Sequence, residues 1–376
     1  MTRPAGGEST SGDGRIAVAM SGGVDSSVAA LLLHREGRSL IGISLQMFDH
    51  AAGETRRFGR CCSPRDFLDA RMVAEKVGFP FYVLNMESEF ASAVMDDFVR
   101  EYAAGRTPVP CAHCNSEVKF GDLLRRARDL GCDGVATGHY ARRSTDPRSG
   151  RPRLLRARDR EKDQSYFLFG LTDAQLDQSL FPIGELTKDS VRSLANDAGL
   201  GVATKPESMD ICFLSGKGYP DFVRPRFEQA EIPGGEIVDR RGEVLGRHDG
   251  VHRFTVGQRR GLGLAGPRPW YVLEIDARTR TVVVGSEEEQ YRSQLRVPRP
   301  NWIGDDPPRR SREAMVQIRH RHPGAEATLE PDSDGSVRVR FRRPQRAITP
   351  GQAAVFYRGD EVLGGGWISL PRATPP

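Results

Sequence analysis

Ile16-Ala17-Val18-Ala19-Met20, then Ser21-Gly22-Gly23-Val24-Asp25-Ser26-Ser27, then Val28-Ala29-Ala30-Leu31-Leu32-Leu33 is the stretch on which the fold turns. The first five residues are a short apolar run without polar alternation, the pattern of a strand buried on both faces. The last six continue an apolar helix that ends at Gly37. Two glycines and three serines at the junction place backbone amides and hydroxyls at a helix N-terminus. A dipole worth about half a charge favours an anion there. Asp25 adds a carboxylate able to hold a Mg²⁺ that bridges phosphates. No Gly-Lys-Ser/Thr follows the glycines, so the turn is not a Walker loop.

Outward from this turn, strand-like and helical segments alternate. Residues 40–47 form the next apolar run. Ser63-Pro64-Arg65-Asp66 reads as a helix start, with a serine cap, proline first and an acid third, and the helix runs to Gly78. Residues 81–86 are a third strand, and 89–104 a longer helix stopped at Gly105. Asn115 is expected to cap a helix reaching Leu130, followed by a fourth strand over 134–140. Alternation at these lengths predicts an α/β fold with a doubly wound parallel sheet, binding its ligand at the carboxyl ends of the strands. After about Tyr219 the helical period disappears. The runs 236–246, 272–285 and 354–368 each place Gly or polar turn residues between β-rich arms. The expected organisation is a disordered tail (1–14), a nucleotide-binding domain (15–218), an all-β linking domain (219–295) and a C-terminal β-barrel (296–376), with 301–314 a connection.

The bulk numbers exclude more than they identify. With 38% apolar and 28% charged residues over 376 positions the chain is of globular type and long enough for two or three domains. Its longest early apolar stretch, Ala29 to Leu33, falls far short of the roughly 20 residues that span a bilayer. The first fourteen residues lack the features of a signal peptide, so the cytoplasm is the expected location. The net charge of +5 is weak evidence for nucleic acid. Six of the 55 cationic residues are lysine. Thirteen of the arginines crowd between Arg292 and Arg346, and Arg338, Arg340 and Arg342 alternate onto one strand face. That face is either a phosphate track or a solvated surface.

Six cysteines in such a chain suggest metal, cluster or redox chemistry rather than a disulfide framework. Cys111-Ala112-His113-Cys114-Asn115 is the spaced pair, with Cys212 far away in Asp210-Ile211-Cys212-Phe213. Cys114 is expected just before a helix N-terminus, where the dipole favours thiolate. A thiolate there serves as nucleophile, disulfide partner or cluster ligand. Cys111, Cys114 and Cys212 would supply three corners of a [4Fe-4S] cluster, leaving one iron open. His113, between the two cysteines, is poorly placed to complete a zinc site. Cys132 reads as a buried structural residue, and Cys61-Cys62 follow an insertion (48–60) without an assigned role.

The Ser21–Ser27 turn resembles the PP-loop of ATP pyrophosphatases, which split ATP between its α and β phosphates and adenylate an oxygen. Further matching stretches lie at 104–120 (AGRTPVPCAHCNSEVKF), 136–140 (ATGHY), 162–168 (KDQSYFL), 210–213 (DICF), 254–263 (FTVGQRRGLG) and 348–357 (ITPGQAAVFY). In that order they make the chain, from about residue 15 onward, resemble the bacterial tRNA-specific 2-thiouridylase family. The resemblance implies ATP contacts at Ala19, Met20, Ser21, Gly22, Gly23, Val24, Asp25, Ser26 and Met47, with Gly138 on the nucleotide's other side. It implies that Cys114 and Cys212 are the catalytic pair and that Cys212 carries a persulfide. It places Val109, Pro110 and Cys111 beside the target base, and His139, Lys162, Asp163, Gln164, Arg319, His320 and Gln352 against the tRNA. It implies a sulfur donor, either a cysteine desulfurase or a relay protein. Some members carry Asp where this chain has Cys111, so persulfide and cluster routes both stand.

The chemistry agrees with the residues. A uridine C2 oxygen is a poor leaving group until it is adenylated, after which sulfur can displace it with AMP. An ATP site beside a thiol site is what this needs, and the base must leave its stack to be reached. Two alternatives are weaker: another PP-loop ligase or amidotransferase leaves the three cysteines unexplained, and a non-catalytic iron–sulfur or RNA-binding regulator leaves Asp25, Cys114 and Cys212 without a task.

Overall fold

The computed structural model describes residues 14–47, 63–206, 211–214, 219–220, 222–223, 234–266 and 268–370. The expected tail before Gly14, the 48–60 insertion, Cys61, Cys62 and Asp210 lie outside the described residues.

The apolar run and the turn after it form β1 (Arg15–Ala19) and α1 (Val24–Arg35). Next come β2 (Leu40–Gln46), α2 (Pro64–Val77) and β3 (Phe81–Asn85). The start of α2 follows its sequence signature. Ser63 caps it, Pro64 opens it, Asp66 closes a reciprocal capping box, and Gly78 ends it in the left-handed conformation. The helical run from Glu87 to Ala103 comprises α3 (Glu87–Phe90), a π segment (Ala91–Met95) and α4 (Asp96–Ala103). A second run comprises α5 (Pro110–His113), a π segment (Cys114–Asp122) and α6 (Leu123–Asp129). This corrects the expected helix start at Asn115: the fixed φ of Pro110 opens the helix one turn earlier. Asn115 therefore lies inside it.

β4 (Cys132–Thr137) follows, then a hairpin of β5 (Ala141–Thr145) and β6 (Pro152–Arg156), α7 (Asp173–Asp177), β7 (Ser179–Leu180) and α8 (Lys188–Asp197). The first sheet has the order β3-β2-β1-β4-β7, and every pair in it is parallel. The order reverses between β1 and β4, so a crevice opens at their carboxyl ends. Apolar clusters cover both faces. One packs α1, α2 and α8 onto the sheet; the other packs the two helical runs with Phe213 and Val223.

A second sheet holds β8 (Gly235–Val238), β9 (Val244–His248), β10 (Tyr271–Asp276) and β11 (Thr281–Gly285) in the order β10-β11-β8-β9. A third has nine strands. It runs β12 (Tyr291–Val297), β16 (Val337–Arg346), β15 (Ala325–Pro331), β14 (Arg312–Gln317), β17 (Ala353–Arg358), β18 (Glu361–Trp367), β6, β5, with β13 (Asn301–Trp302) pairing β18. The β-rich arms read as hairpins pair antiparallel as β8/β9, β10/β11 and β17/β18. The sequence reading missed the β5–β6 hairpin, which leaves the nucleotide-binding half to join the distant sheet by pairing with β18.

Gly22 is the tightest point of the first turn. Its φ is +68°, and a Cβ there would stand 2.3 Å from the Asp66 carbonyl oxygen. Gly22→Ala is expected to cost about 2–4 kcal/mol of unfolding free energy through combined strain and overlap. Urea denaturation checks this, and a loss within about 0.5 kcal/mol, as for an ordinary surface change, contradicts the packing.

Candidate active site

The Ser21–Ser27 turn sits at the carboxyl end of β1, beside the β1/β4 switch point. Gly23 is the N-cap of α1 and no side chain caps the first turn, so the turn's amides are directed at any anion entering the crevice. The serines shape the turn rather than line up as independent donors. Ser26 Oγ accepts from the Ser21 amide (3.2 Å) and lies 3.2 Å from the Gly23 carbonyl, to which Ser27 Oγ also donates (2.8 Å). Gly138, just past β4, closes the other side: a Cβ there would lie 2.5 Å from the Ser26 nitrogen. Ala19, Met20 and Met47 lie at the ends of β1 and β2, with both methionines buried.

Asp25 has partners that the sequence reading did not foresee. Lys188, the first residue of α8, lies 2.8 and 2.9 Å from its two carboxylate oxygens, and the Tyr140 hydroxyl donates to Oδ1 at 2.8 Å. Packing of α8 on α1 brings the amine in, and Asp159 Oδ2 accepts from the Lys188 amide (2.9 Å). A Mg²⁺ held by Asp25 would have to displace this ammonium. The expected metal role does not fit the arrangement.

Cys114 is buried, one turn inside the helical run that Pro110 opens, rather than before its N-terminus. It belongs to the apolar cluster that includes Met47, and Ala19 and Cys212 pack against the same cluster. Cys114, Cys212 and two of the predicted ATP contacts thus share one apolar cluster on one face of the parallel sheet. Phe213, adjacent to Cys212, is wedged edge-on against Phe98 (5.1 Å) and Phe90 (5.8 Å). Cys111 is exposed. Among the described residues no three His, Cys, Asp or Glu side chains converge as a metal site, so the three cysteines as arranged do not fit a cluster. Cys132 is buried in β4, and burial pushes its thiol pKa up, as expected of a structural residue. Asn115 donates to the Phe167 carbonyl (3.1 Å) instead of capping a helix.

Of the predicted tRNA contacts, Val109, Pro110, His139 and Asp163 are buried. Gln352 donates to the Thr107 carbonyl (3.0 Å), beside Val109, Pro110 and Cys111. His320 rests against Phe167 (ring centroids 4.5 Å apart), while Arg319 is exposed. Gln164 accepts from the Tyr140 amide (2.9 Å). Asp163 is buried, held by Arg156 Nη1 (2.7 Å), the Ala157 amide (3.0 Å) and Ser165. His139 is buried too, 2.7 Å from Thr137 Oγ1 and between Phe120 and Phe181, and burial holds its pKa well below the usual imidazole range.

Arg338, Arg340 and Arg342 do alternate outward on β16. Each meets an acid on β15 or just after it: Asp332, Glu330 and Glu326. These ion pairs offset part of the positive charge of that face. Sequence reasoning also missed His113. Its ring stacks on Trp367 (4.5 Å, 12° between planes) and its Nε2 lies 3.2 Å from Asp97, tying the cysteine helix to β18.

Family models described as the tRNA methyl transferase HUP domain, the tRNA methyl transferase PRC-barrel domain and the aminomethyltransferase beta-barrel domain match residues 14–216, 221–286 and 292–368. The chain is 51% identical over 357 residues to a tRNA-specific 2-thiouridylase MnmA of Geotalea uraniireducens (strain Rf4), covering 94% of each. It is 52% identical over 359 residues to the protein of that name from Geobacter metallireducens (strain ATCC 53774 / DSM 7210 / GS-15), covering 94% of this chain and 96% of the other. With a third of that name, from Acidobacterium capsulatum, identity is 50% over 367 residues, covering 94% and 98%.

The buried imidazole has a pH signature. Unfolded, His139 titrates near pH 6.5; folded, it stays neutral to lower pH, so its contribution is fully present above pH 6.5 and is lost as pH falls. His139→Gln is expected to flatten the decline of stability between pH 6.5 and 5 by up to about 1.4 kcal/mol per unit. His248, His320 and His322 shift in the same direction and remain in both proteins, so the difference isolates His139. Equal slopes in urea titrations at several pH values would refute the assignment.

Proposed function

The chain belongs to the tRNA-specific 2-thiouridylase family, and on that premise we propose that it adenylates the C2 oxygen of the tRNA wobble uridine and replaces it with sulfur carried on Cys212. It is a tRNA-uridine sulfurtransferase built on a PP-loop domain. The observation that supports the finer reading is the shared apolar cluster, to which Cys114 and Met47 belong and against which Cys212 and Ala19 pack. Family membership sets aside the C–N ligase and the non-catalytic regulator.

ATP lies with its phosphates on the amides of Ser21 to Ser26, between Met47 and Gly138. Lys188 and Asp25 form the charged floor of this site. The Mg²⁺ that accompanies ATP neutralises phosphate charge, and no step depends on Asp25 as its ligand. The uridine C2 oxygen attacks the α-phosphorus and pyrophosphate leaves. The terminal sulfur of a Cys212 persulfide then attacks C2, and AMP leaves with the oxygen. The Cys114 thiolate attacks Cys212 Sγ, the S–S bond breaks toward the base, and a Cys114–Cys212 disulfide and the thiocarbonyl result. An external thiol reductant reopens the disulfide, and a cysteine desulfurase or relay protein reloads the persulfide. Val109 to Cys111 flank the extruded base, while Lys162, Arg319, His320 and Gln352 hold the tRNA along the seam. His139 and Asp163 support that surface from beneath. No step of this route is carried by a cluster.

The test is anaerobic purification with iron and sulfide analysis, then thiolation with ATP, tRNA and a sulfur source. Iron-free enzyme is expected to thiolate. Cys114→Ser and Cys212→Ser are each expected to lose about a thousandfold or more in thiolation with tRNA affinity nearly unchanged, as for members of one catalytic unit. Thiolation that requires bound iron overturns the persulfide route. A normal rate in either variant removes that cysteine from its role.

A further inference from the structure

The turn that would hold ATP and the start of α2 meet at one side chain, Lys205. Its ammonium has three N–H donors and no acceptor. Three acceptors surround it: the Gly22 carbonyl (2.9 Å), Asp66 Oδ1 (2.6 Å) and Asp69 Oδ2 (2.5 Å). Gly22 is the strained glycine of the PP-loop. Asp66 and Asp69 stand one turn apart at the start of α2, where Asp66 also closes the capping box with Ser63. The loop and the α2 backbone are packed so closely at Gly22 that no Cβ fits between them.

We propose that Lys205 is a positioning residue that sets the PP-loop against α2, and so fixes where ATP and the adenylated base sit. The proposal rests on the thiolation reading above.

Composition supports a specific need for lysine. Six lysines stand against forty-nine arginines in the chain, yet lysine occupies this point. A planar guanidinium directs its donors in a fork, whereas a compact ammonium reaches three converging acceptors at once. Charge gives the clamp a second effect. Without Lys205, the carboxylates of Asp66 and Asp69 would stand uncompensated beside the loop that receives the triphosphate, and like charge would oppose ATP.

The experiment compares full-length wild type with Lys205→Met, Lys205→Arg and Asp69→Asn. ATP, a tRNA transcript and a cysteine desulfurase with free cysteine are supplied. AMP release and thiouridine are quantified together, with Tm and tRNA affinity as controls. Lys205→Met is expected to raise the ATP KM about tenfold and to release several AMP per thiouridine, as for a misplaced reacting group, at unchanged tRNA affinity. Lys205→Arg recovers part of the KM, because charge returns, but not the coupling ratio. If Lys205→Met does not fold, Lys205→Arg and Asp69→Asn carry the test through the same ratio. A wild-type KM and wild-type ratio in the variants that fold, whatever their Tm, reduce Lys205 to a structural ion pair and overturn the proposal. Absence of tRNA-dependent AMP release in the wild type would instead count against the thiolation reading itself.

Discussion

A phosphate site made of backbone requires a turn whose amides point into a crevice, and the carboxyl end of β1 is built around that requirement. The chain leaves a buried strand and enters a helix within a few residues, and no side chain occupies the first-turn donors of α1. This is possible only because neighbouring backbone comes very close. Asp66 of α2 abuts Gly22, and Ser26 abuts Gly138. Polar groups finish the job from outside the motif: Lys188 and Tyr140 orient Asp25, and Lys205 holds the Gly22 carbonyl. Each comes from an element that follows β4 or begins just after it, so the loop is shaped by the completed sheet.

The same logic governs the seam between the two halves. The β5–β6 hairpin is covalently part of the nucleotide-binding half and hydrogen-bonded to β18. Arg156, at the end of β6, lies over the Tyr357 ring (3.5 Å) while bonding to Asp163 and to Gln317. His113 stacks on Trp367, and Gln352 and Pro350 meet the backbone at Thr107. These contacts converge around the cysteine-bearing helix. A relation between that helix and the barrel is what a substrate spanning both would need, and rigid elements hold such a site more closely than loops do.

Much of this was legible beforehand. The buried-strand run at Ile16, the capping signature at Ser63 and the hairpin arms of the β-rich region are local patterns, and the chain follows them because period and turn chemistry act over a few residues. The failures are also local and have physical causes. Pro110 opened a helix that Asn115 seemed better suited to cap. The outward alternation of Arg338, Arg340 and Arg342 was legible, whereas the acids they meet on β15 depended on strand register. His139 and Asp163 carry polar side chains that suit a surface, yet tertiary packing buries them with partners that satisfy them.

By itself the sequence determined the parallel nucleotide-binding half, the β-rich remainder, the phosphate turn and the cysteines, because strand period, glycine freedom and thiol chemistry belong to single segments. Only the tertiary structure decided which charges meet. Asp25 with Lys188, Lys205 with Gly22 and two aspartates, and Cys212 with the cluster of Cys114 join residues far apart in the chain. Such pairings arise when packed elements bring distant side chains within hydrogen-bond reach, and no property of either residue alone specifies them.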